Sequence, residues 1–230
     1  MPHMKYKYWN LSTMSAYMKW LKRILACFLL YICMCLMNRK EVKRISYAEE
    51  KQIILNELQD ALSAVRENEV EAMVDAICHA RMVFVTGVGR VLLMSQAFVK
   101  RLNHLGIKAN FVGAIDEPAI TNQDVLLVAS GSGESVLPLS IMKIAKRYRA
   151  NIIHIGANPS SSMTEYEDLF VRIPCKTKLN KPDEIPSQQI MSSLFEQSLL
   201  LLLDAAAMMI VKKQHITDLD GLWQYHANLE

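Results

Sequence analysis

The chain has 230 residues, 51% hydrophobic and 21% charged, which is enough to bury one substantial core and lies within the usual span of a single domain. Its formal charge of +3 is unevenly spread: residues 1–46 hold nine Lys/Arg against the single acid Glu41, leaving 17 basic against 22 acidic residues from Tyr47 onward, a balance near −5. A body that acidic lacks the lysine and arginine surplus on which phosphate-backbone binding rests, so no nucleic-acid partner is expected.

The first notable segment is the apolar run from Ile24 to Met37, bracketed by Lys22-Arg23 and Arg39-Lys40. Its fourteen residues fall short of the roughly 20 that span a bilayer. It reads as a signal-peptide core, as a weak membrane anchor, or as an upstream extension outside the working protein, with Met37 as the true start. The following Asn38-Arg39-Lys40-Glu41 lacks the small residues of a cleavage site, and the extension reading is favoured. We therefore expect residues 1–46 to stand outside the fold, membrane contact to arise only through them, and residues 47–230 to form one domain. Cys78 and Cys175 are the only cysteines beyond the run, with no metal-ligand spacing, so they read as structural, no metal or other cofactor is expected, and a reducing, cytoplasmic setting fits.

From Ala48 to Val65 the residues Ile53, Ile54, Leu58, Ala61, Leu62 and Val65 recur at helical spacing, and a second helix is expected from Val70 to Ala80. The period then changes: Met82-Val83-Phe84-Val85 is a short apolar run typical of a strand buried on both faces. A helix is expected over Leu92–Leu105, further strands at Ala109–Val112, Val125–Ala129, Ile152–Ile155 and Leu169–Ile173, and helices at Val136–Tyr148 and Ser161–Glu165. Strand and helix in alternation predict an α/β fold, a single-domain three-layer α/β/α sandwich with a five-stranded parallel sheet, flavodoxin-like or Rossmann-like. After Ile173 comes a polar loop rich in Pro and Lys, then a long helix from about Gln189 to Lys213, apolar over Leu199–Leu203 and Ala205–Ile210. Such a helix is buried, and part of its surface is expected to meet another subunit.

Four sets of residues could do chemistry. Gly87-Val88-Gly89-Arg90 sits between a strand and a helix, where glycines allow a tight turn and close approach of a ligand; Leu92 stands where the dinucleotide pattern needs glycine, so a packing turn is an equal reading. Ser130-Gly131-Ser132-Gly133-Glu134-Ser135 places three hydroxyls and two glycines at a helix N-terminus, where O–H and N–H donors converge on one phosphate. An ordinary cap needs one hydroxyl. Without Gly-Lys-Ser/Thr the loop suits a monophosphate better than a nucleotide triphosphate. Glu196, among apolar neighbours early in the long helix, is costly to bury while ionised and is expected either at a water-filled boundary or with a raised pKa suited to a general base; a carboxylate serving the helix dipole is the plainer reading. His104 precedes Gly106 at a helix end, where capping is the plain role and chemistry would require reach into a site, such as a neighbouring subunit's.

Together these segments, with Ala157-Asn158-Pro159, Ser193-Leu194-Phe195-Glu196-Gln197-Ser198-Leu199-Leu200 and the terminal His226-Ala227-Asn228-Leu229-Glu230, resemble the SIS (sugar isomerase) family and within it the 6-phospho-3-hexuloisomerases. The resemblance runs from about Ala48 to the C-terminus. It implies a cytoplasmic homotetramer or dimer of dimers acting on a phosphorylated sugar, with Gly87, Gly89, Arg90, Ser130, Gly131, Ser132, Gly133 and Ser135 binding substrate and with Glu196 and His104 catalytic. Two departures stand out: Arg90-Val91-Leu92 replaces the family's Arg-Ser-Gly, and Ser187-Gln188-Gln189-Ile190 replaces Ile-Gln-Pro. The implied reaction interconverts 3-hexulose 6-phosphate and fructose 6-phosphate through an enediolate. The alternatives are an isomerase for another sugar phosphate and a non-catalytic sugar-phosphate sensor.

Overall fold

A computed structural model of the protein describes residues 11–37 and 45–229. They fall into two compact units divided between Tyr47 and Ala48. In the first, Leu11–Met37 is one 27-residue helix, α1, with Trp20, Ile24, Phe28 and Leu29 exposed along it. The run from Ile24 to Met37 occupies its second half, while Arg39 and Lys40 lie outside the described residues.

The second unit orders α2 (Tyr47–Ser63), α3 (Glu67–His79), β1 (Val83–Thr86), α4 (Gly89–His104), β2 (Ala109–Phe111), β3 (Val125–Ala129), α5 (Val136–Arg147), β4 (Asn151–Gly156), β5 (Leu169–Arg172) and α6 (Ser193–Lys213), followed by a 3-10 turn over Asp220–Tyr225. All five strands pair in parallel in the order β2-β1-β3-β4-β5, so the expected sheet is the observed one. Both faces are covered, which is why the strands read as unbroken apolar runs. Side chains alternate between two cores. Val83, Val85, Leu127, Ile153 and Ile155 pack with α3, α4 and α6, while Phe84, Leu126, Val128 and Ile152 pack with Met142 and Ala145 of α5.

Three expectations are corrected. Residues 161–165 form turns instead of a helix, because Ser161 and Thr164 bond backbone locally: the Ser161 amide donates to Thr164 Oγ1, the Met163 amide to Ser161 Oγ, and Thr164 Oγ1 to the Pro159 carbonyl. The long helix begins at Ser193 instead of Gln189, since Met191 is left-handed at φ 53 and the preceding segment is tied elsewhere. Helix α4 begins at Gly89, three residues earlier than Leu92, so the first glycine loop is also a helix start. Burial of α6 is strong on one side, with Leu199, Leu203, Ala206 and Ile210 fully enclosed, whereas Leu201 and Met208 are exposed. Among the described residues α6 is the one helix long and apolar enough to cross a membrane, and it is more than half buried inside the protein. Burial pushes the Cys175 thiol up to about 12, as expected of an inert core group.

The tie before α6 is Glu57. Its carboxylate, nearly enclosed on α2, accepts from Ser187 Oγ at 2.6 Å, the Gln188 amide at 2.7 Å and Gln189 Nε2 at 3.0 Å. Burial alone would raise its pKa, but these donors, with the Lys176 charge, overcome burial and hold the carboxyl below its ordinary value. A carboxyl depressed in this way stabilises the fold above its unfolded pKa, and the contribution is lost as pH falls through the folded one. Glu57→Ala should therefore cost about 1–3 kcal/mol in urea unfolding at pH 7. The gap to the parent protein should close in acid below the ordinary glutamate range; a variant as stable as the parent at pH 7 would contradict this role.

Candidate active site

The connections α4 and α5 leave the sheet on opposite faces, so the loops after β1 and β3 diverge at the carboxyl edge of neighbouring strands. An open parallel sheet binds ligands at such a reversal. A cleft of about 280 Å³ lies there. One wall is Val88–Val91 from the first glycine loop and the start of α4, another is Ala129–Ser132 with Ser135, and the loop after β5 and the start of α6 close it with Thr177, Lys178, Ser192, Phe195 and Glu196.

The serine loop is preorganised by its own hydroxyls. The Gly133 amide donates to the Ser130 carbonyl at 3.1 Å and Ser130 Oγ at 3.2 Å, the Ser130 hydroxyl donates to Ser135 Oγ at 3.2 Å, and the Glu134 amide to Ser132 Oγ at 3.3 Å. Gly133 sits at φ +67, where a Cβ would be strained and would collide with Ser161. Ser135 occupies the N-cap of α5 but makes no side-chain cap bond, so its hydroxyl is not committed to capping. The N-terminal amides of α5 therefore face a loop of three hydroxyls, an arrangement that suits one phosphate group.

Across the cleft, Glu196 lies in the first turn of α6, nearly buried, with the Nε of Arg90 2.7 Å from its Oε2. The approach is close, yet the Arg90 N–H is not aimed at the oxygen, and Oε2 makes no hydrogen bond. The contact is one of charge with charge, and no N–H or O–H donor among the described residues engages Oε2. Glu196 stands at the boundary of an open cleft, with the helix start and a cation beside it. The ring of Phe195 packs 3.4 Å from where a Cβ on Gly131 would stand, which locks the start of α6 against the serine loop. Val91, in place of the family serine, makes that stretch of wall apolar.

Gly89, Arg90, Ser130, Gly131, Ser132, Ser135 and Glu196 thus line one cleft, with Gly87 and Gly133 in the two loops that frame it. His104 is elsewhere. It ends α4, and about 1.5 Å per residue sets it about 22 Å along the helix from Gly89. There it helps line a larger hollow of about 580 Å³ with Arg101, Asp204, Trp223 and His226. Burial, then the charges of Lys100, Arg101 and His226, lower its pKa, and its Nε2 is buried without a hydrogen bond.

Sequence reasoning gave no site role to His154, Asn158, Thr177 or Lys178. His154 is fully buried on β4 beneath the serine loop, with Nδ1 2.6 Å from Glu167 Oε2 and Nε2 3.2 Å from the Ser130 carbonyl. The signal was present: a histidine inside the apolar run Ile152–Ile155 needs partners on both ring nitrogens. Buried Asn158 donates to the Ser132 carbonyl at 3.1 Å. Thr177 and Lys178 had no local signal, since only the chain's return over the sheet edge brings them to the cleft.

No family model matches the chain. It is 33% identical over 189 residues to a 3-hexulose-6-phosphate isomerase of Bacillus subtilis, covering 82% of this chain and all of the relative. It is likewise 33% identical over 178 residues to a 3-hexulose-6-phosphate isomerase of Mycobacterium gastri, covering 77% of this chain and 88% of that one. Among solved structures, a Methanococcus jannaschii protein from whose crystal structure a 3-hexulose-6-phosphate isomerase function was inferred superposes with a TM-score of 0.69 at 30% identity, over 79% of this chain and 99% of that one.

Proposed function

The chain belongs to the SIS (sugar isomerase) family of sugar-phosphate isomerases, where its relatives include 3-hexulose-6-phosphate isomerases, and from that premise we propose that it interconverts 3-hexulose 6-phosphate and fructose 6-phosphate. The observation that supports this best is the sharing of one cleft by the three-serine loop, Arg90 and Glu196. The loop takes the phosphate, which leaves C2 and C3 of the sugar toward the start of α6. Glu196 removes the proton from C2 of the 3-hexulose. The C–H pair becomes the C2–C3 double bond and the C3 carbonyl oxygen takes the charge. Arg90, already beside Glu196, stabilises that oxyanion, with the amides of the Gly87–Arg90 turn as further donors. A proton passes from O2 to O3, Glu196 returns its proton to C3, and a C2 carbonyl remains. A 3-keto sugar phosphorylated on O6 cannot close a five-membered ring, so the forward reaction needs no ring-opening acid.

In this reading residues 47–230 are the isomerase domain, residues 1–46 lie outside it, and the enzyme works in the cytoplasm as a homotetramer with its sites near subunit boundaries. His104, at the far end of α4, then serves the site of a neighbouring copy, orienting sugar hydroxyls there.

A coupled assay that feeds 3-hexulose 6-phosphate and follows fructose 6-phosphate tests the reaction, with arabinose 5-phosphate as the control sugar. Glu196→Gln should lower kcat by roughly 10²–10⁴-fold, the usual contribution of a positioned proton-transfer group, while fructose 6-phosphate still binds. Unchanged turnover in that variant removes Glu196 from the mechanism. Binding without turnover in the parent protein means the cleft is a sensor. If His104 acts across a boundary, Glu196→Gln and His104→Ala protein, unfolded together and reassembled, should recover activity that neither variant has alone. Failure to complement would place His104 outside the chemistry.

A further inference from the structure

The cleft is lined by two cations, and only one of them is uncommitted. Arg90 is matched by Glu196 at 2.7 Å, so that pair adds little net charge. A phosphate monoester near neutral pH carries about −1.5 to −2 charges, and amides and hydroxyls alone leave them unbalanced. Lys178 is exposed, lines the same cleft, and has no side-chain hydrogen bond or ion pair among the described residues.

Its place is fixed by its neighbours. Glu184 accepts from the Thr177 amide at 2.9 Å, from Thr177 Oγ1 at 2.5 Å and from the Lys181 amide at 3.1 Å, closing residues 177–184 into a turn. The Lys181 ammonium donates to Asn158 Oδ1 at 2.6 Å, and Asn158 in turn donates to the Ser132 carbonyl. The turn that bears Lys178 is thus clamped to the serine loop. Glu134, the one acid of that loop, is drawn aside: its carboxylate accepts from the Ser162 hydroxyl and amide, which hold its carboxyl below the ordinary range, with Lys181 and Lys178 as the nearby charges that add to this. Lys178 therefore lies on the α5 side of the cleft, by the phosphate donors.

We propose that Lys178 is a substrate-binding residue that supplies the charge holding the sugar's phosphate against Ser130, Ser132 and Ser135, with Glu184 and Asn158 as the positioning residues that keep it there. This deepens the isomerase reading and rests on it for the identity of the sugar, while the anion site itself is tested without catalysis. Lys178 is at the surface and has no side-chain hydrogen bond or ion pair among the described residues, so Lys178→Gln should keep the parent melting temperature.

Calorimetric titration of the full chain with inorganic phosphate, and separately with fructose 6-phosphate, gives the test. Lys178→Gln should weaken both by roughly tenfold or more, the usual cost of losing a charged donor. KM for the phosphorylated sugar should rise while kcat stays within a few-fold, and Lys178→Arg should restore most of the loss. Phosphate affinity in Lys178→Gln within twofold of the parent overturns the proposal, as does a parent protein that binds no phosphate, or a fall in kcat at constant KM. Lys178-dependent phosphate binding in a protein that turns over no hexulose would leave the proposal standing and remove the isomerase reading instead.

Discussion

The reversal of crossover direction between β1 and β3 is the constraint from which the site follows. Once β2 pairs on one side of β1 and β3 on the other, α4 and α5 cover opposite faces, and a gap opens between the loops that lead into them, entered by Arg90 and Val91 from the first turn of α4. Two helix starts frame the gap: Gly89 opens one helix, and a Ser/Gly loop opens the other. The helix start that meets the serine loop is aligned with the edge because its strand, β3, is hydrogen-bonded on both sides over its length.

The polar groups of the cleft are held from behind by buried partners. His154 braces the first carbonyl of the serine loop, Asn158 braces the Ser132 carbonyl, and Phe195 fits the face of Gly131. Glu57 fixes the segment that turns into α6 and so fixes where Glu196 points. None of Glu57, His154 and Asn158 lines the cleft, yet each decides the position of a group that does. The charge at the centre is divided in a useful way. Arg90 and Glu196 neutralise each other at the end where a proton would move, while Lys178, which lines the same cleft, forms no ion pair among the described residues.

Much of this was legible in the sequence because it is local. Apolar four- and five-residue runs mark buried strands, and three serines with glycines after Val125–Ala129 mark the loop that lines one wall of the cleft. Glu196 was legible as a carboxylate among apolar neighbours, although its answer to burial, a cation across the cleft, depends on Arg90 from a distant element. The segment 161–165 was expected to be a helix, and its hydroxyls instead bond the backbone into turns. Glu57 carried no sequence signal because its three partners lie about 130 positions away. Lys178 read as one of several loop lysines for the same reason. His104 illustrates the limit of motif reading: its place in the chain is clear, while its distance from Glu196 appears only once α4 is laid out as a helix.

The account stands or falls on where a sugar phosphate sits. A crystal structure of the Glu196→Gln protein soaked with fructose 6-phosphate tests it directly. The phosphate should lie within hydrogen-bond distance of Ser130, Ser132 or Ser135 and the α5 amides, with C2 and C3 beside residue 196. A sugar bound in the hollow beside His104 and Trp223, or one turned with its phosphate toward residue 196, would contradict the account.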